Sequence, residues 1–403
     1  MKFLFLGVLC LCGASAQIFA SSDPEISMTT PQIIQRWGYA VEVHTITTID
    51  GYMIDLHRIP NGKNGVRTAN KPVVLMQHGL MADSSVWVSN LPQQSAAFLF
   101  ADAGFDVWLG NLRGNTYGMR HKTLSPQNPA FWKFSFDDAA STLPAFVNYI
   151  LQMTNQQSLN YIGHSQGALM MFARLSEDPT FAQKIANHFA LAPLGTMNNV
   201  KGPLFTMAKT LGNLTQDQLF SLFGAGQLIP RSDLVNQLKT QVCQSGPVCD
   251  NFLFLTSGSP SASQFNISRL PIYLSHTPSP SSTQNFIHYL QNINAQGVVP
   301  KYDFGNAQLN IAKYGQPSPP LYDFSKINAP THLFWGDLDV FADKIDIENW
   351  LLPILNKQWL RNNIELPNFA HMDFVWGLNA ANQVYMPIIN FLRGAQRQQP
   401  IMG

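Results

Sequence analysis

Residues 163–167 read Gly-His-Ser-Gln-Gly, and this G-x-S-x-G pattern restricts the fold of the chain more than any other feature. Residues 159–162 before it are β-prone and apolar, and residues 168–175 after it are a run of helix formers. A strand, a tight turn and a helix in this order form the sharp elbow that presents a serine for nucleophilic attack. A side chain at position 163 or 167 would collide with the neighbouring strand or helix. The bare pattern often arises by chance, but with these flanks it predicts that Ser165 is a nucleophile.

The hydrophobic pattern predicts a mostly parallel sheet with helices on both faces. Residues 41–60 alternate on either side of an Asp-Gly pair, as an antiparallel hairpin does. Continuous apolar runs, which are typical of buried parallel strands, then alternate with helix-like segments. The predicted strands are 72–77, 106–110, 159–162 and 188–192, and the predicted helices are 95–103, 136–152 and 168–175. The fold class is therefore α/β, with a doubly wound sheet.

This alternation stops after the predicted strand 188–192. Short helical pieces rich in Ser, Pro, Gly and Asn follow, and the alternation resumes with strands at 331–335 and near 364–366 and helices near 345–355 and 382–392. We interpret residues 17–194 and 322–403 as two parts of one core. Residues 195–321 are then a cap inserted over the carboxyl ends of the strands, where ligands bind in open α/β sheets.

The first 16 residues have the pattern of a signal peptide. Lys2 precedes an apolar run over residues 3–12, and residues 14–16 read Ala-Ser-Ala, an A-x-A cleavage pattern. The run is too short to cross a bilayer, and no later segment approaches the length that a transmembrane helix needs. We therefore expect a protein of the secretory pathway without a transmembrane segment, located in the lysosome or outside the cell.

In a secreted chain the remaining cysteines are predicted to form a disulfide, and two asparagines are predicted glycosylation sites. Removal of the signal peptide leaves Cys243 and Cys249, which we expect to form one disulfide in an oxidising compartment. Asn213 and Asn266 begin glycosylation sequons. No metal site or cofactor is predicted, because one cysteine pair without adjacent histidines does not bind zinc. A net charge of +1 without a Lys/Arg-rich block argues against nucleic-acid binding. The sequence gives no indication of the oligomeric state.

Serine, acid and histidine follow one another along the chain in folds with this elbow, and that order selects the partners of Ser165. Of the histidines after the elbow, His371 is the one on a loop that follows a strand near the C-terminus, so it is the predicted general base. The acid is expected between residues 336 and 343, after the penultimate strand. Asp339 is preferred because it lies further round the turn than Asp337, which stays the rival. Asp343 precedes a helical run and is predicted to be its N-cap.

Two backbone amides are candidates for stabilising a tetrahedral oxyanion. Residues 78–80, His-Gly-Leu, follow the buried strand 72–77. The amide of Leu80 and the amide of Gln166, directly after the nucleophile, are the expected donors. The ring of His78 is expected to shape this loop rather than to take part in the reaction.

Further motifs accompany the elbow over almost the whole chain, at residues 39–44, 50–52, 58–60, 77–80, 107–114, 272–276, 302–305 and 371–374. Together they resemble the acid lipases, the family of gastric lipase and lysosomal acid lipase. The resemblance implies an α/β-hydrolase fold with a helical cap and a mobile lid. It also implies hydrolysis of triacylglycerols or cholesteryl esters at acidic pH, at lipid–water interfaces and without a metal.

By position, the resemblance implies that Ser165, Asp339 and His371 form the catalytic triad. Family members often have glycine where Asp337 stands, which leaves the acid open, and the cysteine pair is closer together than in the mammalian enzymes. Two alternatives stay open as well. One is a carboxylesterase for small soluble esters, and the other is a non-catalytic lipid carrier or signalling chaperone that uses the same apolar cleft.

Overall fold

A mixed, mostly parallel β-sheet runs through the computed structural model, which describes residues 23–65, 70–228 and 264–397. Its strands are β1 Glu42–Thr47, β2 Tyr52–Ile59, β3 Val73–Gln77, β4 Asp106–Leu109, β5 Arg120–His121, β6 Leu159–His164, β7 Ile185–Leu191, β8 Thr331–Gly336 and β9 Leu360–Leu366. Within these residues the strand order is β1-β2-β4-β3-β6-β7-β8-β9, and β5 pairs with β2. Pairings that involve β2 are antiparallel, and all the others are parallel. The predicted α/β fold with a hairpin at its start is confirmed.

Helices pack on the sheet and also form the described part of the insertion. The α-helices are α1 Thr30–Arg36, α2 Ala96–Asp102, α3 Phe136–Ala140, α4 Leu143–Thr154, α5 Gln166–Glu177, α6 Pro203–Leu211, α7 Gln216–Phe223, α8 Leu270–His276, α9 Thr283–Asn294, α10 Ala307–Tyr314, α11 Lys344–Asp346, α12 Leu352–Ile354, α13 Asp373–Trp376 and α14 Met386–Arg397. Two π-helical turns occur in the described part of the chain, at Ile347–Leu351 and Ala381–Tyr385. Short 3-10 helices occur at Pro24–Ile26, Ser84–Trp87, Pro129–Trp132, Phe181–Lys184, Ile267–Arg269 and Phe324–Lys326.

Burial follows the position of each strand in the sheet. β3 and β6, at the centre, are buried throughout, because helices cover both faces of a parallel sheet. β1, at the edge, is largely half-buried or exposed. β6 lies between β3 and β7, so the residue that follows its carboxyl end is placed near the middle of one sheet edge.

The helix predicted over residues 136–152 is two helices, α3 and α4. The hydroxyls of Ser141 and Thr142 both donate to the carbonyl oxygen of Asp138, at 2.7 and 3.0 Å. Such bonds compete with the helical ladder, and Pro144 has no amide hydrogen to continue it. The chain therefore bends here and starts a new helix.

The insertion between β7 and β8 contains α6 to α10 in its described part. Buried side chains of α8 and α9, such as Tyr273 and Phe286, belong to the same hydrophobic core as the sheet. The cap boundaries at 195 and 321 stay a prediction. The signal peptide 1–16 and the cysteines Cys243 and Cys249 lie outside the described residues, so the leader and the disulfide stay predictions too.

Candidate active site

Ser165 stands at the turn between β6 and α5 with φ of 55° and ψ of −117°. A positive φ is unfavourable for a residue with a Cβ, and such strain is held in place by its surroundings. A Cβ on Gly163 would lie 2.6 Å from the amide nitrogen of Ala168, and one on Gly167 would lie 2.3 Å from the carbonyl oxygen of Gln77. The collisions predicted for both glycines are confirmed, with the helix at one position and a strand at the other.

The structure joins Ser165, His371 and Asp339 by hydrogen bonds. Nε2 of His371 lies 2.8 Å from Oγ of Ser165, and Nδ1 lies 2.8 and 3.0 Å from the two carboxylate oxygens of Asp339. All three residues are at most 6% exposed, so water screens their interactions weakly. A hydrogen on Nδ1 donates to Asp339, which leaves Nε2 free to accept the serine proton. The arrangement is suited to nucleophilic catalysis.

Of the three candidate acids, Asp339 is the one that contacts His371. Its Oδ1 also accepts hydrogen bonds from the amides of Phe341 and Ala342, at 2.8 and 2.9 Å, which fix the carboxylate. Asp337 is exposed and accepts a hydrogen bond from a backbone amide at 3.3 Å. The prediction that Asp343 is a helix N-cap is confirmed, because its carboxylate accepts from the amide of residue 345.

The backbone of residues 79 and 80 passes close to the serine. A Cβ on Gly79 would lie 2.9 Å from Cβ and 3.3 Å from Oγ of Ser165. Gln166 is the first residue of α5, where amide hydrogens have no partner within the helix. Among the described residues the amides of Leu80 and Gln166 have no protein acceptor. Both can therefore donate to an oxygen of a bound substrate.

His78 supports the loop that carries Leu80. Its Nδ1 donates to the carbonyl oxygen of Gly79 at 2.8 Å, and its Nε2 accepts from the side-chain amide of Asn115 at 3.1 Å. Burial lowers the pKa of His78 to about 4, so the ring is neutral, as this pair of bonds requires. These contacts agree with a role in shaping the loop.

His164 is a residue of the site that sequence reasoning missed. Its Nε2 donates to the backbone carbonyl oxygen of His371 at 2.9 Å. Burial lowers the pKa of His164 to about 3, and the neighbouring His371 contributes to the shift. A neutral ring therefore holds the loop of the candidate base without adding a positive charge beside it. Its place at the end of β6, directly before Ser165, is the signal that could have identified it.

An apolar cavity of about 750 Å³, including its opening to solvent, borders Ser165 and His371. Side chains from the core and from the insertion line it, among them Val86, Leu194, Met197, Val200, Leu204, Phe286, Tyr289, Phe341 and Met372. An apolar wall with reactive polar groups at one place is typical of a site for an apolar ligand that carries one reactive group.

The described residues contain neither a cluster of metal ligands nor a membrane-spanning helix. No group of three or more His, Cys, Asp or Glu side chains in 23–65, 70–228 and 264–397 could hold a metal ion. No helix in these segments has both the length and the apolar character needed to cross a membrane.

Family models match the sequence of this chain, and solved structures are similar to it in fold. A model described as the alpha/beta hydrolase fold matches residues 72–378, and a model of the partial alpha/beta-hydrolase lipase region matches residues 30–91. Carboxylesterase CesB of Bacillus subtilis has a TM-score of 0.51 at 10% identity, covering 91% of this chain and 96% of its own. Epoxide hydrolase VrEH1 of Vigna radiata has a TM-score of 0.51 at 16% identity, covering 88% and 98%. At these identities the similarity concerns the fold.

Relatives in sequence assign the chain to a more specific family. Lipase lipl-1 of Caenorhabditis elegans is 47% identical, over 96% of both chains. Gastric triacylglycerol lipase of Bos taurus is 39% identical, over 92% of this chain and 93% of its own. Lysosomal acid lipase/cholesteryl ester hydrolase of Homo sapiens is 40% identical, over 98% of this chain and 100% of its own. The chain therefore belongs to the α/β-hydrolase family and, within it, to the acid lipases.

Proposed function

We propose that the chain is a lipase that hydrolyses neutral lipid esters at lipid–water interfaces. The observation that carries this proposal is the hydrogen-bonded series from Ser165 through His371 to Asp339 at the wall of an apolar cavity. A buried nucleophile and base supply the chemistry, and the apolar wall favours a long acyl chain over a small polar ester.

The proposed reaction begins when Nε2 of His371 accepts the proton of Ser165 and Oγ attacks the ester carbonyl carbon. The amides of Leu80 and Gln166 donate to the resulting oxyanion. The positive charge on His371 is stabilised by Asp339, and the ring then protonates the departing alcohol, which leaves an acyl-enzyme. Water attacks this ester by the same route, and the fatty acid leaves while the serine hydroxyl is restored.

The substrate class rests on the relatives and on the cavity together. Two relatives are named for triacylglycerol and cholesteryl ester hydrolysis and are 39% and 40% identical to this chain. We infer the same ester classes here, triacylglycerols, cholesteryl esters or both. No cofactor is required by the proposed reaction, since every proton and every bond is handled by side chains and backbone amides.

The proposed location is the secretory pathway, ending in the lysosome or outside the cell. It rests on the signal-peptide pattern of residues 1–16, and it provides the oxidising compartment in which Cys243 and Cys249 would pair. Asn213 is exposed and Asn266 is half-buried, so both sequons offer a reachable side chain. In the second sequon the hydroxyl of Ser268 donates to Oδ1 of Asn266 at 2.7 Å.

The test is hydrolysis of emulsified triolein and cholesteryl oleate from acidic to neutral pH, with Ser165→Ala alongside. Ser176→Ala is the matched control, because Ser176 is also buried, lies on the elbow helix and donates to a backbone carbonyl away from the site. We expect oleate release by the wild type and the control and none by Ser165→Ala. The ratio of the two rates gives the substrate preference.

Other outcomes would identify the alternatives. Release of acid from soluble short-chain esters but not from emulsions would indicate a carboxylesterase. Binding of oleate without turnover, equal in wild type and Ser165→Ala, would indicate a carrier.

A further inference from the structure

The side chain of Gln166 is bound by two residues of the insertion. Its carbonyl oxygen Oε1 accepts a hydrogen bond from Nδ2 of Asn285 at 3.0 Å and one from the hydroxyl of Tyr289 at 3.1 Å. All three residues are buried. Because Gln166 also carries one of the two candidate oxyanion amides, these bonds connect helix α9 to the reacting centre.

The N-terminal end of α9 is itself held in place. Oγ of Ser282 accepts from the amide of Asn285 at 2.9 Å and donates to the carbonyl oxygen of Phe134 in the core. The ring of Tyr289 packs edge-on against Phe136, with centroids 5.9 Å apart. The two donors therefore have fixed positions. Without them, the side chain of Gln166 could rotate about several bonds.

We propose that Asn285 and Tyr289 are positioning residues for the oxyanion hole. By binding Oε1 of Gln166 they fix the first turn of α5 and keep its backbone amide directed at the substrate. This inference rests on the proposed ester hydrolysis at Ser165 and assigns to the insertion a part in that reaction beyond lining the cavity.

The physical reason is competition for donors. Leaving a buried amide oxygen without a hydrogen bond is energetically unfavourable, so the oxygen bonds to any donor within reach. The amides of Gln166 and Gly167, the first two of α5, have no acceptor among the described residues. A glutamine side-chain oxygen can accept from a backbone amide at a helix N-terminus, as those of Gln32 and Gln218 do in this chain. Released from the insertion, Oε1 of Gln166 would occupy the donors that the oxyanion needs.

The experiment uses Tyr289→Phe, Asn285→Ala and the double variant with soluble p-nitrophenyl butyrate. Loss of one neutral hydrogen bond is worth about 1 kcal/mol, so Tyr289→Phe should lower kcat about 5-fold with KM unchanged. The double variant should lose about 10- to 100-fold, approaching the cost of removing one oxyanion donor. The inhibition constant of a trifluoromethyl ketone, which forms a tetrahedral adduct on the serine, should rise by the same factors.

Tyr273→Phe is the matched control. Tyr273 is a buried tyrosine of the insertion whose hydroxyl donates to the side chain of Asn90, and it does not border the cavity. Its kcat and inhibition constant should match the wild type. Rates are expressed per active site, titrated to completion with a fluorophosphonate, so that loss of folded protein does not count as loss of kcat.

A merely structural role for the two residues would lower the melting temperature but leave kcat per site and the inhibition constant unchanged, and that result would overturn the inference. Failure of the proposed function gives a different result, since Ser165→Ala would then retain wild-type turnover, or the wild type would show none.

Discussion

Replacing Asp339 by asparagine should stop turnover by reversing the tautomer of His371. Oδ1 of Asp339 accepts from two backbone amides, those of Phe341 and Ala342, at 2.8 and 2.9 Å. A substituted amide must keep its carbonyl oxygen at these donors, so its NH₂ group faces Nδ1 of His371. Nδ1 then accepts a hydrogen bond, and the ring hydrogen moves to Nε2, the atom that lies 2.8 Å from Oγ of Ser165. The ring can no longer take the serine proton.

The size of the effect follows from this loss of the base. The same substitution in a serine protease triad lowers kcat about 10⁴-fold with the geometry intact, which corresponds to about 5 kcal/mol of transition-state stabilisation. The two backbone contacts of Asp339 survive the change, so we expect a folded enzyme with KM close to that of the wild type.

The assay is kcat on p-nitrophenyl butyrate, per titrated active site, for Asp339→Asn and the control Asp337→Asn. Asp337 is exposed and contacts neither His371 nor Ser165, so its variant should stay within about 2-fold of the wild type, as surface changes do. If Asp339→Asn kept more than a tenth of the wild-type kcat while Asp337→Asn lost activity, the assignment of the acid and the tautomer argument would both be refuted.

Three further substitutions test the elbow and the buried histidines. Gly79→Ala places a Cβ 2.9 Å from Cβ of Ser165 and should lower kcat about 100-fold with little change in melting temperature; an unchanged kcat would contradict the packing. Gly167→Ala places a Cβ 2.3 Å from the carbonyl oxygen of Gln77 and should cost about 3 kcal/mol of stability in urea unfolding, which a neutral result would disprove. Burial lowers the pKa of His188 to about 3, so His188→Leu should remove about 2 kcal/mol of the stability loss between pH 7 and pH 5. Equal pH dependence in His188→Leu and wild type would contradict this account.

Much of the site could be predicted because its residues follow strands. A serine at an elbow, an acid after the penultimate strand and a histidine near the C-terminus are sequential features, and parallel strands bring their carboxyl ends to one edge. Ser165, Asp339 and His371 meet there, and the choice of Asp339 over Asp337 agrees with the observed contact. Asp339 is preferred because it lies further along the turn than Asp337, and the order of residues in the sequence is enough to show this.

Contacts between distant segments could not be predicted. His164 binds a carbonyl 207 positions away, and Gln166 binds side chains 119 and 123 positions away. Such pairs depend on how the insertion and the last loop pack, and no local periodicity encodes them. The break between α3 and α4 was missed for another reason. It depends on hydrogen bonds from the hydroxyls of Ser141 and Thr142 and on the missing amide hydrogen of Pro144, none of which a hydrophobic pattern registers.

Buried neutral histidines, rather than carboxylates, are expected to set the stability of this chain in mild acid. Burial lowers the pKa to about 3 or 4 for five of them, His57, His78, His164, His188 and His332. At pH 5 the unfolded chain binds a proton on each, because its histidines titrate near pH 6.5, and the folded chain does not. Unfolding is therefore favoured as the pH falls below 6.5, by about 2 kcal/mol per histidine at pH 5.

The carboxylates affect stability only at lower pH than the histidines do. Asp50 and Asp83 have pKa values below the ordinary 3.8 despite burial, since Arg113 and His276 respectively act on them, so their stabilisation is intact above about pH 4 and is lost below it. Domains of ordinary stability have an unfolding free energy of about 5–15 kcal/mol. Protonation of a few histidines in the unfolded chain can cancel a stabilisation of this size. A chain with these histidines that acts in an acidic compartment must therefore hold a reserve of several kcal/mol at neutral pH. The stability remaining at pH 5 is then expected to set its lower pH limit of activity.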